Sequence, residues 1–146
     1  MAHVADILTG RRPYLGILPP DRRVIEAIQM MVRRELGAIL VARDRDLIGI
    51  LTKRDVVHRV VAQGHPPSHV SVETVMTRSP VTVEAEEDVR EAVTKMRRAR
   101  CRHLPVMIDG QVVDTLSISD LLSVELHDRE HEVEQLAGYI RGERSF

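Results

Sequence analysis

Two heptapeptides separated by 65 positions carry one pattern, namely Gly49-Ile50-Leu51-Thr52-Lys53-Arg54-Asp55 and Asp114-Thr115-Leu116-Ser117-Ile118-Ser119-Asp120. In each, an apolar stretch typical of a strand ends at a hydroxyl residue, and an aspartate follows three positions later. This spacing predicts a helix start at which the hydroxyl side chain caps the backbone. The sequence therefore predicts two copies of a strand that runs directly into a helix.

The repeat extends beyond these heptapeptides. The same shift of 65 positions superimposes identical residues upstream, in the pairs Val24 and Val89, Glu26 and Glu91, Ala27 and Ala92, Met31 and Met96, and Val41 and Val106. Apolar residues at helical spacing precede two short strands in each copy, and Asp109-Gly110 is a strong hairpin signal. We predict an α/β fold of two repeats, each ordered strand, helix, strand, strand, helix, related by a pseudo-twofold axis.

The repeats are assigned to residues 1–65 and 66–127, with a linker rich in glycine and proline around residues 63–68. The segments 4–8 and 72–76 are predicted as equivalent helical or extended lead-ins, although their offset is 68 because the first repeat has about three extra residues near Gly10. Residues 128–146 depart from the repeat. Apolar residues at helical spacing between Val133 and Ile140 predict a C-terminal amphipathic helix there.

Composition excludes several functional classes. The 146 residues carry a net charge of −1, which provides no global attraction for nucleic acid. No apolar run approaches the roughly 20 residues of a membrane helix, and the first residues do not form a signal-peptide pattern. Cys101 is the only cysteine, so no intramolecular disulfide is expected and a reducing compartment is favoured. We expect a cytoplasmic protein that does not bind membranes.

The predicted helix starts have the chemistry of a ligand site. Free N–H groups at a helix N-terminus favour a phosphate, and an aspartate beside them can accept hydrogen bonds from the vicinal hydroxyls of a ribose. The alternative is a structural cap without a ligand, because duplication copies a cap as readily as it copies a site.

The ordered set of motifs resembles a CBS-domain pair, also called a Bateman module. The resemblance covers nearly the whole chain and is carried by Val4-Ala5-Asp6-Ile7-Leu8, Gly37-Ala38-Ile39-Leu40-Val41, the two heptapeptides, Val75-Met76-Thr77 and Arg102-His103-Leu104-Pro105-Val106. The tail 132–140 is similar to the ending of small stand-alone bacterial CBS proteins. The resemblance implies a homodimer that binds AMP, ADP, ATP, NAD(H) or S-adenosylmethionine in clefts between the repeats. It implies regulation without catalysis, and neither a cofactor nor a metal is expected.

Carried over residue by residue, the resemblance implies two sites. In one, Asp120 holds the ribose, Ser117 and Ser119 lie near the phosphate, and His103 is the basic neighbour. The adenine of this site is bordered by the backbone of Gly16, Ile17, Leu18, Gly37 and Ala38. In the other site, Asp55 holds the ribose and Thr52 and Arg54 face the phosphate. Its opposite wall is formed by Val81, Val83, Cys101, Arg102 and His103.

Two departures from the family pattern affect how strongly the phosphate of a ligand is expected to bind. Gly37 is taken as the counterpart of His103, so the first repeat lacks a basic side chain there, and Asp114 replaces the glycine present as Gly49. We therefore expect AMP to bind at least as well as ATP. We also expect phosphate affinity to fall as the pH rises through roughly 6.5, because only the protonated ring of His103 adds charge.

Two other functions remain open. A constitutive dimerisation module with empty clefts would fit the two departures. Nucleic-acid binding through the basic stretch 95–103 is not favoured, because the stretch has no interleaved aromatic residues. His127 and His131 have a spacing that can bind a metal, but a solvated helix face explains them better. Cys101 lies between two arginines, yet its repeat partner is Leu36, which favours a buried apolar role.

Overall fold

The computed structural model describes residues 2–14, 16–123 and 137. Of the predicted C-terminal helix, only Ala137 lies among the described residues, and it is helical. The predicted boundary at residue 128 and the pair His127 and His131 lie outside them.

Both repeats contain the predicted elements in the predicted order. The first comprises α1 (Val4–Leu8), β1 (Ile17–Leu18), α2 (Val24–Arg34), β2 (Ala38–Arg43), β3 (Asp46–Thr52) and α3 (Lys53–Asp55), which continues as a π-helical segment (Val56–Val61). The second comprises α4 (Val72–Val75), β4 (Thr77–Arg78), β5 (Val83–Glu84), α5 (Val89–Ala99), β6 (His103–Ile108) and β7 (Gln111–Ser117), followed by helical residues 118–123. The helices after β3 and β7 begin directly after the hydroxyl residues Thr52 and Ser117.

The strands form two small mixed sheets. One has the order β1-β2-β3-β4 and the other the order β5-β6-β7. β1 runs parallel to β2 and β5 runs parallel to β6, whereas each following hairpin is antiparallel. Asp109 and Gly110 form the predicted turn with φ values of 51° and 76°. The edge strand β4 was not predicted, because two residues are too few to show an alternating pattern.

Each lead-in helix packs against the opposite repeat. Val4 of α1 lies in the core formed by α5, β6 and β7, while Val72 and Val75 of α4 lie in the core formed by α2, β2 and β3. A third apolar cluster joins the two sheets and includes Leu40 and Val112. The regions beside the two helix starts, called the Asp55 cleft and the Asp120 cleft, are each bordered by residues of both repeats, because Arg59 contacts Thr77 at the first and Arg11 contacts Asp120 at the second.

The strand register corrects one alignment. Ala38 pairs with Thr52, and His103 pairs with Ser117, so Ala38 and not Gly37 is the counterpart of His103. Gly37 nevertheless has a reason to lack a side chain. A Cβ atom there would lie 2.7 Å from Nε2 of His103, which occupies the space in front of it.

Candidate functional site

Both predicted aspartates complete a reciprocal cap at their own helix start. The Thr52 N–H donates to Oδ2 of Asp55 over 3.0 Å, and the Asp55 N–H donates to Oγ1 of Thr52 over 3.1 Å. The second repeat has the same pair, since the Ser117 N–H donates to Oδ2 of Asp120 over 2.8 Å and the Asp120 N–H donates to Oγ of Ser117 over 3.2 Å. The cap fixes each carboxylate at the helix start and leaves Oδ1 directed away from the cap bond.

The first N–H of each helix is also bonded. The Lys53 N–H donates to the Gly37 carbonyl over 3.1 Å, and the Ile118 N–H donates to the Arg102 carbonyl over 2.8 Å. Of the first three N–H groups, those of Arg54 and Ser119 therefore stay open to a phosphate. The side chains of Arg54 and Ser119 are exposed, and Oγ of Ser119 lies 3.2 Å from Oγ of Ser117.

His103 lies between the two helix starts. Burial lowers the pKa of His103 below its usual 6.5, and the carboxylates of Asp120 and Asp55 only partly offset this effect. The ring is therefore neutral over a wider range than the sequence suggested. The expected fall in phosphate affinity, which depends on loss of the proton from His103, therefore occurs at a pH below 6.5 and not near it.

An arginine from the extra residues of the first repeat enters the Asp120 cleft. Nη1 of Arg11 lies 3.2 Å from Oδ2 of Asp120, and Nη2 lies 3.6 Å from Oδ1 of Asp114. Burial raises the pKa of Asp114, which also accepts the Thr115 N–H over 2.7 Å. Sequence reasoning missed Arg11, because the insertion that carries it has no counterpart in the second repeat.

A different arginine borders the Asp55 cleft. Nε of Arg59 lies 3.8 Å from Oδ1 of Asp55, one helical turn away on the same helix. Its Nη1 donates to the Val75 carbonyl over 3.0 Å and to Oγ1 of Thr77 over 3.3 Å, which ties the helix to α4 and β4. The i, i+4 spacing of Asp55 and Arg59 was visible in the sequence and could have identified this contact.

The predicted walls differ in what they can offer a ligand. The side chains of Ala38 and Val83 are buried in the cores, so these residues can present only backbone atoms. The carbonyl of Gly16 accepts the Leu40 N–H, which fixes β1 with Ile17 and Leu18 against β2. The other wall residues are exposed or half-buried, namely Val81, Cys101, Arg102 and Gly37.

The Cys101 thiol is half-buried and packs against the second core. Burial raises the pKa of this thiol, so the neighbouring arginines do not activate it. Its counterpart Leu36 packs against the first core in the same way. Both observations favour the apolar role of Cys101.

Several surfaces bear on the alternatives. Arg97 and Arg98 lie in the last turn of α5, where cations complement the helix dipole. A groove of about 530 Å³ along α5 has a mixed-charge lining of Asp88, Arg90, Glu91, Thr94, Lys95 and Arg98, none of which is a predicted site residue.

Among the described residues, no group of three His, Cys, Asp or Glu side chains could hold a metal ion. No helix within the described ranges has the length and apolarity needed to cross a membrane.

The CBS domain profile matches the chain twice, at residues 4–62 and 72–127. The chain therefore belongs to the CBS-domain family, as a tandem pair. CBS tandem domains are regulatory ligand-binding modules.

Known proteins similar to the chain include the mitochondrial CBS domain-containing protein CBSX3 of Arabidopsis thaliana, which is 31% identical over 127 residues. This alignment covers 84% of the chain and 62% of CBSX3, and the chain spans only 21% of the relative CBSCBSPB2 from the same organism. The structure also resembles a putative signal-transduction protein with CBS domains from Burkholderia ambifaria, with a TM-score of 0.81 and 32% identity, covering 87% of this chain and 96% of that one.

A second similar structure is that of the CBS domain protein PAE2072 from Pyrobaculum aerophilum, complexed with AMP. It has a TM-score of 0.74 and 24% identity, and the match covers 82% of this chain and 90% of that one. At this identity the similarity establishes the shared fold.

Proposed function

We propose that this chain is a regulatory module that binds a compact adenosine nucleotide, such as AMP, and does not catalyse a reaction. The observation that carries the proposal is the duplicated helix start. Each copy fixes an aspartate beside an open N–H group, in a cleft bordered by both repeats. The AMP-bound PAE2072 structure, which has the same fold, supports an adenosine ligand.

The charges around the helix starts support a monophosphate over a polyphosphate. Lys53 and Arg54 are exposed at one start and Arg102 lies nearby, whereas buried Asp114 adds negative charge on the other side. Burial keeps His103 mostly neutral, so it supplies little positive charge near pH 7. Each additional phosphate would bring further negative charge toward the carboxylates at the helix starts, where Arg11 and Arg59 are already paired with aspartates.

A homodimer is part of the proposal. Val57 and Val61 are 56% and 61% exposed, and Leu122, the repeat counterpart of Val57, is 51% exposed. These exposed apolar side chains lie on two pseudo-symmetric helices, which a second copy of the chain could cover by a twofold contact. A cytoplasmic location remains a prediction from the composition.

Thermal melting against AMP, ADP, ATP, NAD(H) and S-adenosylmethionine tests the ligand class. A ligand at 100 times its dissociation constant stabilises the native state by about 2.7 kcal/mol. We expect AMP to raise the melting temperature, and the double variant Asp55→Asn, Asp120→Asn to lose most of this increase. No stabilisation by any of the five ligands would favour the dimerisation module with empty clefts. A mobility shift of RNA or DNA that weakens with salt would instead favour the basic stretch 95–103 as a nucleic-acid surface.

A further inference from the structure

The two clefts are not equivalent, although their helix starts are duplicated. Arg11 contacts both carboxylates of the Asp120 cleft through its two Nη atoms. Oδ2 of Asp120 thus receives a guanidinium in addition to the cap N–H of Ser117. Vicinal hydroxyls of a ribose would have to compete with this guanidinium for the same carboxylate.

Tyr14 occupies the base side of the same cleft. Its hydroxyl donates a hydrogen bond to the Ala38 carbonyl. Its ring lies against Gly16, where a Cβ atom would be 2.9 Å from Cε1 of the tyrosine. Gly16 and Ala38 are backbone positions at which the adenine is expected, so the aromatic ring lies where that base would lie.

The hydrogen-bonding groups around the Tyr14 hydroxyl suit the edge of a purine. Thr115 is only 4% exposed, and its side-chain hydroxyl interacts with the Tyr14 hydroxyl. This hydroxyl lies beside Tyr14, whose pKa burial raises to about 12. If Tyr14 left, the Ala38 carbonyl could accept from an exocyclic amino group, and the Thr115 hydroxyl could donate to a ring nitrogen.

The Asp55 cleft has no equivalent occupant from the connection after its lead-in helix. There, Thr77 and Arg78 form β4 and pair with Ile50 and Gly49 of β3, which holds the connection along the sheet edge. The cation beside Asp55 is instead Arg59, which is 46% exposed and approaches Oδ1 at 3.8 Å, a looser contact than that of Arg11 with Asp120.

We propose that the side chains of Arg11 and Tyr14 fill the Asp120 cleft and compete there with a nucleotide. A compact adenosine nucleotide then fills the Asp55 cleft first, and it enters the Asp120 cleft only when the side chains of Arg11 and Tyr14 leave. This inference rests on the proposed nucleotide function and adds an order of filling to it.

Calorimetry with AMP tests this competition in an Asp55→Asn background, which leaves the Asp120 cleft as the main site. Adding Arg11→Ala should tighten AMP binding about three- to fivefold, because a competing, partly exposed ion pair is removed. Arg11→Gln should have the same effect, and circular dichroism verifies that each variant is folded. The matched control is Arg12→Ala, which removes an exposed neighbouring arginine and should leave the affinity unchanged.

A second measurement follows Tyr14 directly. The chain has two tyrosines, so Tyr139→Phe leaves Tyr14 as the only one. In this variant, AMP that saturates only the Asp55 cleft should leave the ultraviolet titration of Tyr14 unchanged. AMP that fills the Asp120 cleft should lower the pH at which Tyr14 ionises, because the displaced ring becomes exposed.

The outcomes separate the inference from the proposed function. The proposed competition would be wrong if the native chain bound AMP at two sites of equal affinity. It would also be wrong if Arg11→Ala left the affinity for AMP unchanged or weakened it. Both results would leave nucleotide binding itself intact. A loss of affinity would identify Arg11 as a ligand contact. If neither the native chain nor any Arg11 variant binds an adenosine nucleotide, the proposed function fails and the inference fails with it.

Discussion

At the scale of single residues, substitutions can separate the cap formed by Asp55 from its proposed contact with a ribose. Asp55→Ala removes both the cap and the proposed ribose contact, whereas Asp55→Asn keeps an oxygen that can accept the Thr52 N–H. We expect Asp55→Ala to lower the free energy of unfolding by about 0.5–2 kcal/mol, as for other lost caps. Urea unfolding measures this loss, and Asp55→Asn should show little of it.

Both substitutions at Asp55 should weaken AMP binding. A charge-assisted hydrogen bond contributes about 1.5–3 kcal/mol, and neither alanine nor asparagine provides a charged acceptor. Calorimetry therefore should give reduced affinity for the asparagine variant at nearly native stability. If that variant binds AMP normally, Asp55 is a structural cap and the ribose assignment is wrong.

His103 predicts a specific pH dependence of stability. Its folded-state pKa is lowered below 6.5, so the unfolded chain binds the proton more readily than the folded chain does. The stability from the neutral ring is fully present above pH 6.5 and is lost as the pH falls through 6.5 toward the lower folded-state pKa. Relative to His103→Gln, the native chain should lose free energy of unfolding over this window, with a slope no steeper than about 1.4 kcal/mol per pH unit.

Urea unfolding at several pH values between 5 and 8 measures this difference, and the comparison with His103→Gln cancels the titration of the other histidines. AMP affinity should increase over the same acidic window, because a phosphate favours the protonated ring. A stability difference that does not vary between pH 5 and 8 would contradict the buried, neutral His103.

The site residues that the sequence predicted make contacts with residues close to them in the chain, whereas the residue that it missed contacts residues far away in the chain. Asp55 with Thr52, and Asp120 with Ser117, interact over three positions, so their spacing alone predicted the caps. Arg11 reaches Asp114 and Asp120 across more than 100 positions of the chain. Such a contact depends on how the two repeats pack, and no periodicity in the sequence records it.

At the scale of elements, the close antiparallel pairing of β3 with β4 depends on Gly49. A Cβ atom at this position would lie 2.7 Å from the carbonyl oxygen of Thr77, a backbone atom of β4. We expect Gly49→Ala to cost about 1–3 kcal/mol of unfolding free energy through overpacking. Gly37→Ala is the matched comparison and should cost less, because the added methyl group meets only the movable His103 ring.

Denaturant unfolding of the two alanine variants measures these costs side by side. Equal stabilities of the two variants would show that β4 can shift away from β3 without a loss of free energy. The pairing of β3 with β4 would then not hold the border of the Asp55 cleft rigidly in place.

The sequence predicted elements according to their length and pattern. The hairpin of β6 and β7 followed from the apolar runs on either side of Asp109-Gly110, and α2 and α5 followed from helical spacing. β4 was missed because two residues carry no pattern, and the π-helical segment was missed because its apolar residues also fit an α-helix. The packing of α1 and α4 against opposite repeats could not be predicted, since both cores have similar aliphatic compositions.

At the scale of the whole molecule, the exposed apolar surface predicts the assembly. Val57→Asp or Leu122→Asp should convert a dimer, of twice the 16.5 kDa chain mass, into a monomer at micromolar concentration. Val32→Asp is the matched control, because Val32 is an equally apolar side chain, 74% exposed, on a different helix, α2. Light scattering measures the mass, and a native chain of 16.5 kDa would contradict the proposed homodimer.

The exchange of α1 and α4 between the repeats has a consequence for the origin of the chain. A polypeptide holding one repeat could complete its core only with the lead-in helix of another copy, as in domain swapping. Such an ancestor would assemble at a rate and to an extent set by its concentration. Joining two copies through residues 63–68 replaces that dependence with a fixed effective concentration. Proteolysis within this linker should therefore give two fragments that stay associated and separate only on dilution.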